Sequence, residues 1–145
     1  MKKFNKKRFN PYSVRSGLEE SICEELDSKG IVYKYEPVEG KIPYTVPESY
    51  HTYTPDFILT TKTGKKLIVE SKGIWDYEDR KKHLLIKQQH PDLDIRFVFS
   101  RSKSRIRKGS ATTYGDICEG RGRPPFKGVT WKYADKAIPE EWLEE

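Results

Sequence analysis

Cysteine, methionine and long apolar runs are scarce in this sequence of 145 residues. Its two cysteines, Cys23 and Cys118, have neither the spacing of a zinc site nor the number that a disulfide framework requires, so we expect free thiols in a reducing compartment. No apolar run approaches the ~18 residues that a membrane-spanning helix needs. Charged and hydrophobic residues each make up 34% of the chain, which predicts one domain with a small core and no membrane contact.

Acidic residues are absent from the first 18 positions, although the whole chain contains 22 of them. Aromatic residues alternate with basic ones there, and the segment has no helical periodicity. Residues 1–15 are therefore predicted to form a flexible basic arm that binds a polyanion. A disordered terminus that only aids solubility is the alternative. The cations of the arm are Lys2, Lys3, Lys6, Lys7, Arg8 and Arg15.

Hydrophobic patterns over residues 16–145 predict a mixed β-sheet flanked by helices. In chain order the predicted elements are a helix from Ser16 to Gly30, a strand at 31–36, a hairpin of strands 56–60 and 66–72, a helix at 75–91 and a strand at 94–100. The two tryptophans near the end of the chain are expected to pack.

The segment 41–54 has the composition of an extended chain, but Pro43 and Pro47 each lack a backbone donor. Proline is excluded from central strands for this reason. The segment is therefore predicted to be an edge strand or an arm that reaches another subunit.

The hairpin carries charged residues at defined positions. A turn at 61–65 with Gly64 pairs residue 60 with residue 66, and this register brings Asp56 opposite Glu70. Because side chains alternate along a strand, Lys72 shares a face with Glu70. Two carboxylates at this distance repel unless a cation lies between them. Both a structural ion pair with Lys72 and a site for Mg²⁺ or Mn²⁺ are consistent with this arrangement.

Several motifs together resemble one known family. Asp56, thirteen intervening residues and Glu70-Ser71-Lys72 have the form of the PD-(D/E)XK nuclease signature. The segments "RSGLE" at 15–19, "HTYTPDF" at 51–57, "ESKGIWD" at 70–76 and "DRKKHLLI" at 79–86 resemble the endonuclease I family of podovirus-type phages, and "KGS" with "YG" at 108–115 and "ADKAIPEEW" at 134–142 extend the match.

The resemblance implies a structure-selective DNA endonuclease that resolves four-way (Holliday) junctions in the cytoplasm of an infected bacterial host. Its implied catalytic residues are Glu19, Asp56, Glu70 and Lys72. Two Mg²⁺ ions, for which Mn²⁺ substitutes, would be bound by Asp56, Glu70 and Glu19 with the Ser71 carbonyl. Ser16-x-x-Glu19 is also a capping-box pattern, so a purely structural role of Glu19 is the alternative.

The family also implies a restriction-endonuclease-like fold in an intertwined, segment-swapped homodimer with 41–54 as the bridge strand between subunits. Glu19 would come from one chain and Asp56 from the other. This sequence departs from the family in a longer turn at 60–66 and in an insertion at 119–130.

Further basic residues are candidates for phosphate contacts, with an ordinary solvated surface as the alternative. Phosphate contact or solvation is also expected for the histidines, including His83. Two rival functions remain, namely a PD-(D/E)XK nuclease for ordinary or damaged duplex DNA and a non-catalytic basic nucleic-acid-binding module. The candidate phosphate-binding residues are Arg80, Lys81, Lys82, Lys103, Arg105, Arg107 and Lys108.

Overall fold

The computed structural model describes residues 17–46 and 49–145. The predicted basic arm at 1–15 lies outside the described residues, and so do the predicted helix cap Ser16 and Pro47. Among the described residues, no helix combines the length and the apolar character that crossing a membrane would require.

A five-stranded mixed sheet is the centre of the fold, as predicted. Its strands are β1 (Tyr33–Tyr35), β4 (Phe57–Thr60), β5 (Lys66–Lys72), β6 (Ile95–Phe99) and β7 (Tyr133–Asp135). They lie in the order β1-β4-β5-β6-β7. Strands β1, β4 and β5 pair antiparallel, whereas β5, β6 and β7 pair parallel.

The register of the β4–β5 hairpin confirms the prediction from its turn. The Thr61 N–H donates to the Lys65 carbonyl at 2.8 Å, and Thr60 pairs with Lys66. Gly64 has a φ of +94°, a conformation that glycine adopts without a steric penalty. The last pair of the ladder is Phe57 with Val69, so the same register brings Asp56 opposite Glu70, at the end of the hairpin farthest from the turn.

Two longer helices cover opposite faces of the sheet. Helix α1 (Gly17–Ser28) packs Ile22 and Leu26 into a core with the odd-numbered residues of β4 and β5. Helix α2 (Tyr77–Gln89) lies on the face of Ile68, against which Ile86 packs. Because side chains alternate along β5, Glu70 and Lys72 point to the α2 face.

The end signals of both helices agree with the sequence patterns. The Asp76 carboxylate caps α2 by accepting a hydrogen bond of 2.9 Å from the Asp79 N–H, and Pro91 follows the end of the helix. Gly30, with φ +67°, follows α1 and is the expected stop signal.

Residues 42–53 form a separate two-stranded sheet of β2 (Ile42–Val46) and β3 (Ser49–Tyr53). Pro43 therefore lies outside the main sheet, as its missing donor requires. In this single chain the segment pairs with itself, from Ile42 with Tyr53 to Val46 with Ser49. Its predicted role as a bridge between subunits stays a prediction.

The insertion at 119–130 is a closed loop that packs on the core. Its ends pair through a bridge between Glu119 and Thr130, and its Phe126 side chain is buried beside Trp75 and Trp131. The predicted packing of the tryptophans is confirmed, since Trp131 and Trp142 are both buried. Two short helices, α3 (Tyr114–Cys118) and α4 (Glu140–Glu144), complete the fold.

Candidate active site

Asp56 and Glu70 are joined across the open end of the β4–β5 hairpin. The Asp56 N–H donates to Glu70 Oε2 at 2.7 Å. In return, Asp56 Oδ2 accepts hydrogen bonds from the Ser71 N–H at 3.0 Å and from Ser71 Oγ at 3.2 Å. Both carboxylates are buried. These bonds fix the two side chains in one orientation before any ligand binds.

Burial has a large effect on Glu70. The low-dielectric surroundings, together with the nearby charge of Asp56, raise the pKa of Glu70 to about 8. The charge of Lys72 and the hydrogen bond from the Asp56 N–H only partly oppose this rise. Two buried carboxylates are thus held together at an energetic cost, which a bound cation would offset.

Lys72 lies next to Glu70 and forms a short ion pair with α2. Its Nζ is 2.6 Å from Asp79 Oδ2 and 3.7 Å from Glu70 Oε1. Although burial alone lowers the pKa of Lys72, the charges of Glu70 and Asp79 raise it above its ordinary value. The side chain is therefore a cation at neutral pH, so it can stabilise negative charge but is poorly suited to accept a proton.

Glu19 reaches the same place from α1. One carboxylate oxygen from each of Glu19, Glu36 and Asp56 lies within 4.8 Å of the others. Glu19 is buried and accepts a hydrogen bond from the Tyr35 hydroxyl. The structure thus brings together all four residues predicted as catalytic, Glu19, Asp56, Glu70 and Lys72, and it does so within one chain.

Glu36 is a site residue that sequence reasoning missed. It follows β1, where it has a φ of 42°, and its N–H donates to the Asp56 carbonyl at 3.0 Å. The β1–β4 register pairs Tyr35 with Phe57, so Glu36 is the next residue opposite Asp56. Three neighbouring strands therefore carry an acid in one row. Pairing the strand at 31–36 with the hairpin would have revealed this position.

The expectation of a solvated or phosphate-binding His83 is wrong. Its ring is buried edge-on against Tyr53 and Phe97, and its Nε2 lies 3.7 Å from Glu70 Oε1. Burial and the nearby charge of Lys72 hold the pKa of His83 well below its ordinary value. The imidazole is thus neutral and forms part of the wall behind Glu70.

The candidate phosphate-binding residues fall into four groups. The cations of the arm lie outside the described residues. Arg80 departs from the expected surface position, since it is only 4% exposed and its Nη1 donates to the Trp75 carbonyl at 2.6 Å. Lys81 and Lys82 are half-buried, whereas the exposed candidates are Lys103, Arg105, Arg107 and Lys108.

The donor set fits a hard divalent cation. All of its side-chain ligands are carboxylate oxygens, which Mg²⁺ and Mn²⁺ prefer. Asp56 contacts Ser71 on one side and clusters with Glu19 and Glu36 on the other. This central position would allow Asp56 to serve two ions, one near Glu70 and one near Glu19.

Comparison with known proteins supports the resemblance noted in the sequence. A sequence model of the family described as Phage endonuclease I matches residues 1–145. Endonuclease I of Escherichia phage T7 is 52% identical over 133 residues, which cover 92% of this chain and 80% of the relative. Endodeoxyribonuclease 1 of Enterobacteria phage T3 is 50% identical over 133 residues, which cover 92% of this chain and 78% of the relative. The chain belongs to the phage endonuclease I family.

Proposed function

We propose that this protein is a metal-dependent endodeoxyribonuclease that resolves four-way junctions and other branched DNA by hydrolysing phosphodiester bonds. The observation that carries the proposal is the row of acids on three neighbouring strands, Glu36, Asp56 and Glu70, with Lys72 beside it. The names of the two phage relatives, an endonuclease and an endodeoxyribonuclease, supply the nuclease class.

Each residue of the site has a distinct part in this proposal. Asp56, Glu70 and the Ser71 carbonyl would hold one Mg²⁺ ion, while Asp56 with Glu19 would hold a second, and Mn²⁺ would substitute. Glu36 lies within reach of this second position. When bound, the ions supply Lewis-acid stabilisation of the attacking and leaving oxygens.

Lys72 supplies the positive charge that the protein itself contributes. Its ion pair with Asp79 holds Nζ on the α2 face of the sheet, and its raised pKa keeps it protonated. A fixed cation beside the reacting phosphate stabilises the negative charge that develops there, without any reorganisation of solvent.

The β2–β3 hairpin offers a simple route to a dimer with shared active sites. Its two strands pair from Ile42 with Tyr53 to Val46 with Ser49. If the strands separate, β2 of one chain can pair with β3 of a second chain in the same register, which is domain swapping. Glu19 precedes both strands in the sequence and Asp56 follows them. The swap would therefore rebuild the same site from two chains and give two symmetric sites for a four-way junction.

A cleavage assay tests the proposal directly. The wild-type protein should cut a four-way junction in Mg²⁺ and not in EDTA, and it should cut a linear duplex with the same arms far more slowly. Asp56→Ala, Glu70→Ala and Lys72→Ala should each abolish cleavage and retain junction binding, because binding rests on basic residues and shape.

The other outcomes separate the rival functions. Equal cleavage of junction and duplex would identify a general duplex nuclease. Junction binding without cleavage at any divalent concentration would identify a binding module and overturn the proposal.

Mixing two inactive variants tests the shared site. Glu19→Ala and Asp56→Ala proteins are combined under conditions that allow chains to exchange. In a swapped heterodimer one site loses both groups and the other is intact, so single-strand nicking of the junction should return. If each chain builds its own site, every site carries one lesion. Absence of nicking in a sample that contains heterodimers would contradict the swapped arrangement.

A further inference from the structure

A cavity of about 460 Å³ lies at the first turn of α2, and none of the carboxylates of the candidate active site lines it. It is bounded by that turn, by the loop at 106–112 and by the predicted insertion at 119–130. Its size is within the range of about 300–1,000 Å³ that small-molecule sites have. The cavity gives the predicted insertion a candidate role.

Three arginines line the cavity and give it a positive potential. Arg107 and Arg123 are exposed, whereas Arg80 is buried. Arg80 Nη1 is held by the Trp75 carbonyl, but its buried Nε has no hydrogen-bond partner among the described residues. No acidic side chain from the described part of the chain lines this space. A buried donor of this kind needs an acceptor, and an anion would supply one.

The remaining wall is aromatic and apolar. The Tyr77 ring, which is 52% exposed, meets the buried Phe126 ring edge-on at a centroid distance of 6.0 Å. Ile106 and Ile117 add aliphatic surface. Tyr77 therefore presents a flat face next to a group of arginines, a combination that suits a planar ring attached to a phosphate.

We propose that this cavity binds one nucleotide whose base is not stacked in a duplex. The base would pack against Tyr77 and the apolar wall, because every base has a face that stacks on aromatic rings. The phosphate would be bound by Arg107 and Arg123, with Arg80 at the buried end, because guanidinium groups bind phosphate oxygens bidentately.

The nucleotide could be free or part of a DNA strand. The DNA-linked form rests on the proposed nuclease function, whereas binding of a free nucleotide does not. Tyr77 and Arg80 of the cavity wall lie in the first turn of α2, which also carries Asp79, the ion-pair partner of Lys72. An unpaired nucleotide held in the cavity would thus contact the same helical turn that holds Lys72.

Photocrosslinking with a brominated base identifies the binding position. One probe is free 5-bromodeoxyuridine monophosphate, and the other is a four-way junction with a single unpaired 5-bromodeoxyuridine at its centre, both in EDTA. Irradiation should link the base to the peptide that carries Tyr77 or Phe126. Crosslinking of the free nucleotide alone supports the cavity as a nucleotide site, and crosslinking of the junction supports its DNA-linked use. Crosslinks only elsewhere, with both probes, would overturn the proposal.

Affinity measurements with exposed variants provide the quantitative test. The wild-type protein should bind the junction with the unpaired nucleotide about tenfold more tightly than the fully paired junction, as expected for one stacked base. Tyr77→Leu and Arg123→Gln should remove this difference, while Tyr77→Phe, which keeps the ring, should retain it. Lys127→Gln removes a charge from the same insertion outside the cavity and should also retain it.

Each result of this comparison has a definite meaning. Equal affinity of the wild-type protein for both junctions would refute the DNA-linked form. A difference that survives in Tyr77→Leu and Arg123→Gln would show that the unpaired nucleotide binds elsewhere. Failure to bind either junction would count against the proposed nuclease function, while crosslinking of the free nucleotide would still test the cavity itself.

Discussion

Replacing Glu19 by glutamine should have opposite effects on stability with and without Mg²⁺. Glu19 and Asp56 are both buried, and their carboxylate oxygens lie within 4.8 Å of each other. Glutamine has nearly the same shape, and its carbonyl can still accept the hydrogen bond from the Tyr35 hydroxyl. The substitution therefore removes one negative charge and keeps the hydrogen bond to Tyr35.

The magnitude follows from Coulomb's law. The two carboxylate oxygens lie at most 4.8 Å apart, and two unit charges at that distance repel by about 3.5 kcal/mol at an effective dielectric constant of about 20. The gain in unfolding free energy of the metal-free variant should be of this order. For a chain of this size about 1 kcal/mol shifts the melting temperature by roughly 2–4 °C. We therefore expect an increase of several degrees in EDTA, the opposite sign to most substitutions of buried residues.

Thermal unfolding of the full chain without DNA measures both effects. Under the proposed function Mg²⁺ binds the folded protein, so it should raise the melting temperature of the wild type by mass action. This Mg²⁺-induced rise should shrink in Glu19→Gln, because one ligand charge has been lost. Glu24→Gln removes the same charge from the exposed side of α1 and should leave the rise unchanged.

A lower melting temperature of Glu19→Gln in EDTA, with the full Mg²⁺-induced rise retained, would refute both the repulsion and the role of Glu19 as a ligand. The negative charge of Glu19 would then stabilise the fold, whereas a role in the capping box alone predicts no change, because glutamine also completes that box. A higher melting temperature in EDTA together with an unchanged Mg²⁺-induced rise would confirm the repulsion between Glu19 and Asp56 but contradict the role of Glu19 as a ligand.

Two further predictions concern the arm and the buried Arg96. Deleting residues 1–13 removes five cations and should reduce the slope of log affinity for a junction against log salt by about 4–5; an unchanged slope would mean that the arm only aids solubility. Arg96 is buried and forms ion pairs with Asp94 and Glu145. Arg96→Met should therefore lower the free energy of unfolding, measured by urea denaturation, by about 2 kcal/mol. This value is smaller than for a fully buried pair because both carboxylates are partly exposed. Hydrogen bonds from Arg96 and Lys65 lower the pKa of Glu145 from 4.5 to about 2. The stabilisation that the Glu145 carboxylate contributes is therefore complete above about pH 4.5 and is lost as the pH falls towards 2. The acid-induced decrease in melting temperature over this range should be smaller in Arg96→Met, and an identical decrease in both proteins would contradict this assignment.

The hairpin and its two carboxylates were predictable because their signals are local. A turn with a glycine fixes which residues pair, and alternation along the strands then fixes which side chains share a face. The same reasoning brought Lys72 beside Glu70. The position of Glu19 was predictable only from the resemblance, because the sequence pattern alone fits a helix cap equally well.

The groups that the sequence did not reveal depend on contacts between distant segments. Glu36 joins the site because β1 pairs with β4, and the local pattern of the predicted strand at 31–36 does not say which strand it pairs with. His83 is buried because Tyr53 and Phe97 enclose its ring. Arg80 belongs to a run of basic residues in the sequence, yet its side chain is buried and donates a hydrogen bond to the Trp75 carbonyl. No local pattern encodes such enclosure.

The position of the acids at the open end of the β4–β5 hairpin has a consequence for protein engineering. The turn at 61–65 is at the opposite end, where Thr61 and Lys65 contact Glu145. Extra residues inserted there would disturb those contacts but leave the pairing of Asp56 with Glu70 unchanged. Insertion of a single residue within β4 or β5 would instead shift the following side chains to the other face of the sheet. A change in the length of the turn should therefore lower stability and spare the site, whereas a change in the length of either strand should dismantle the site.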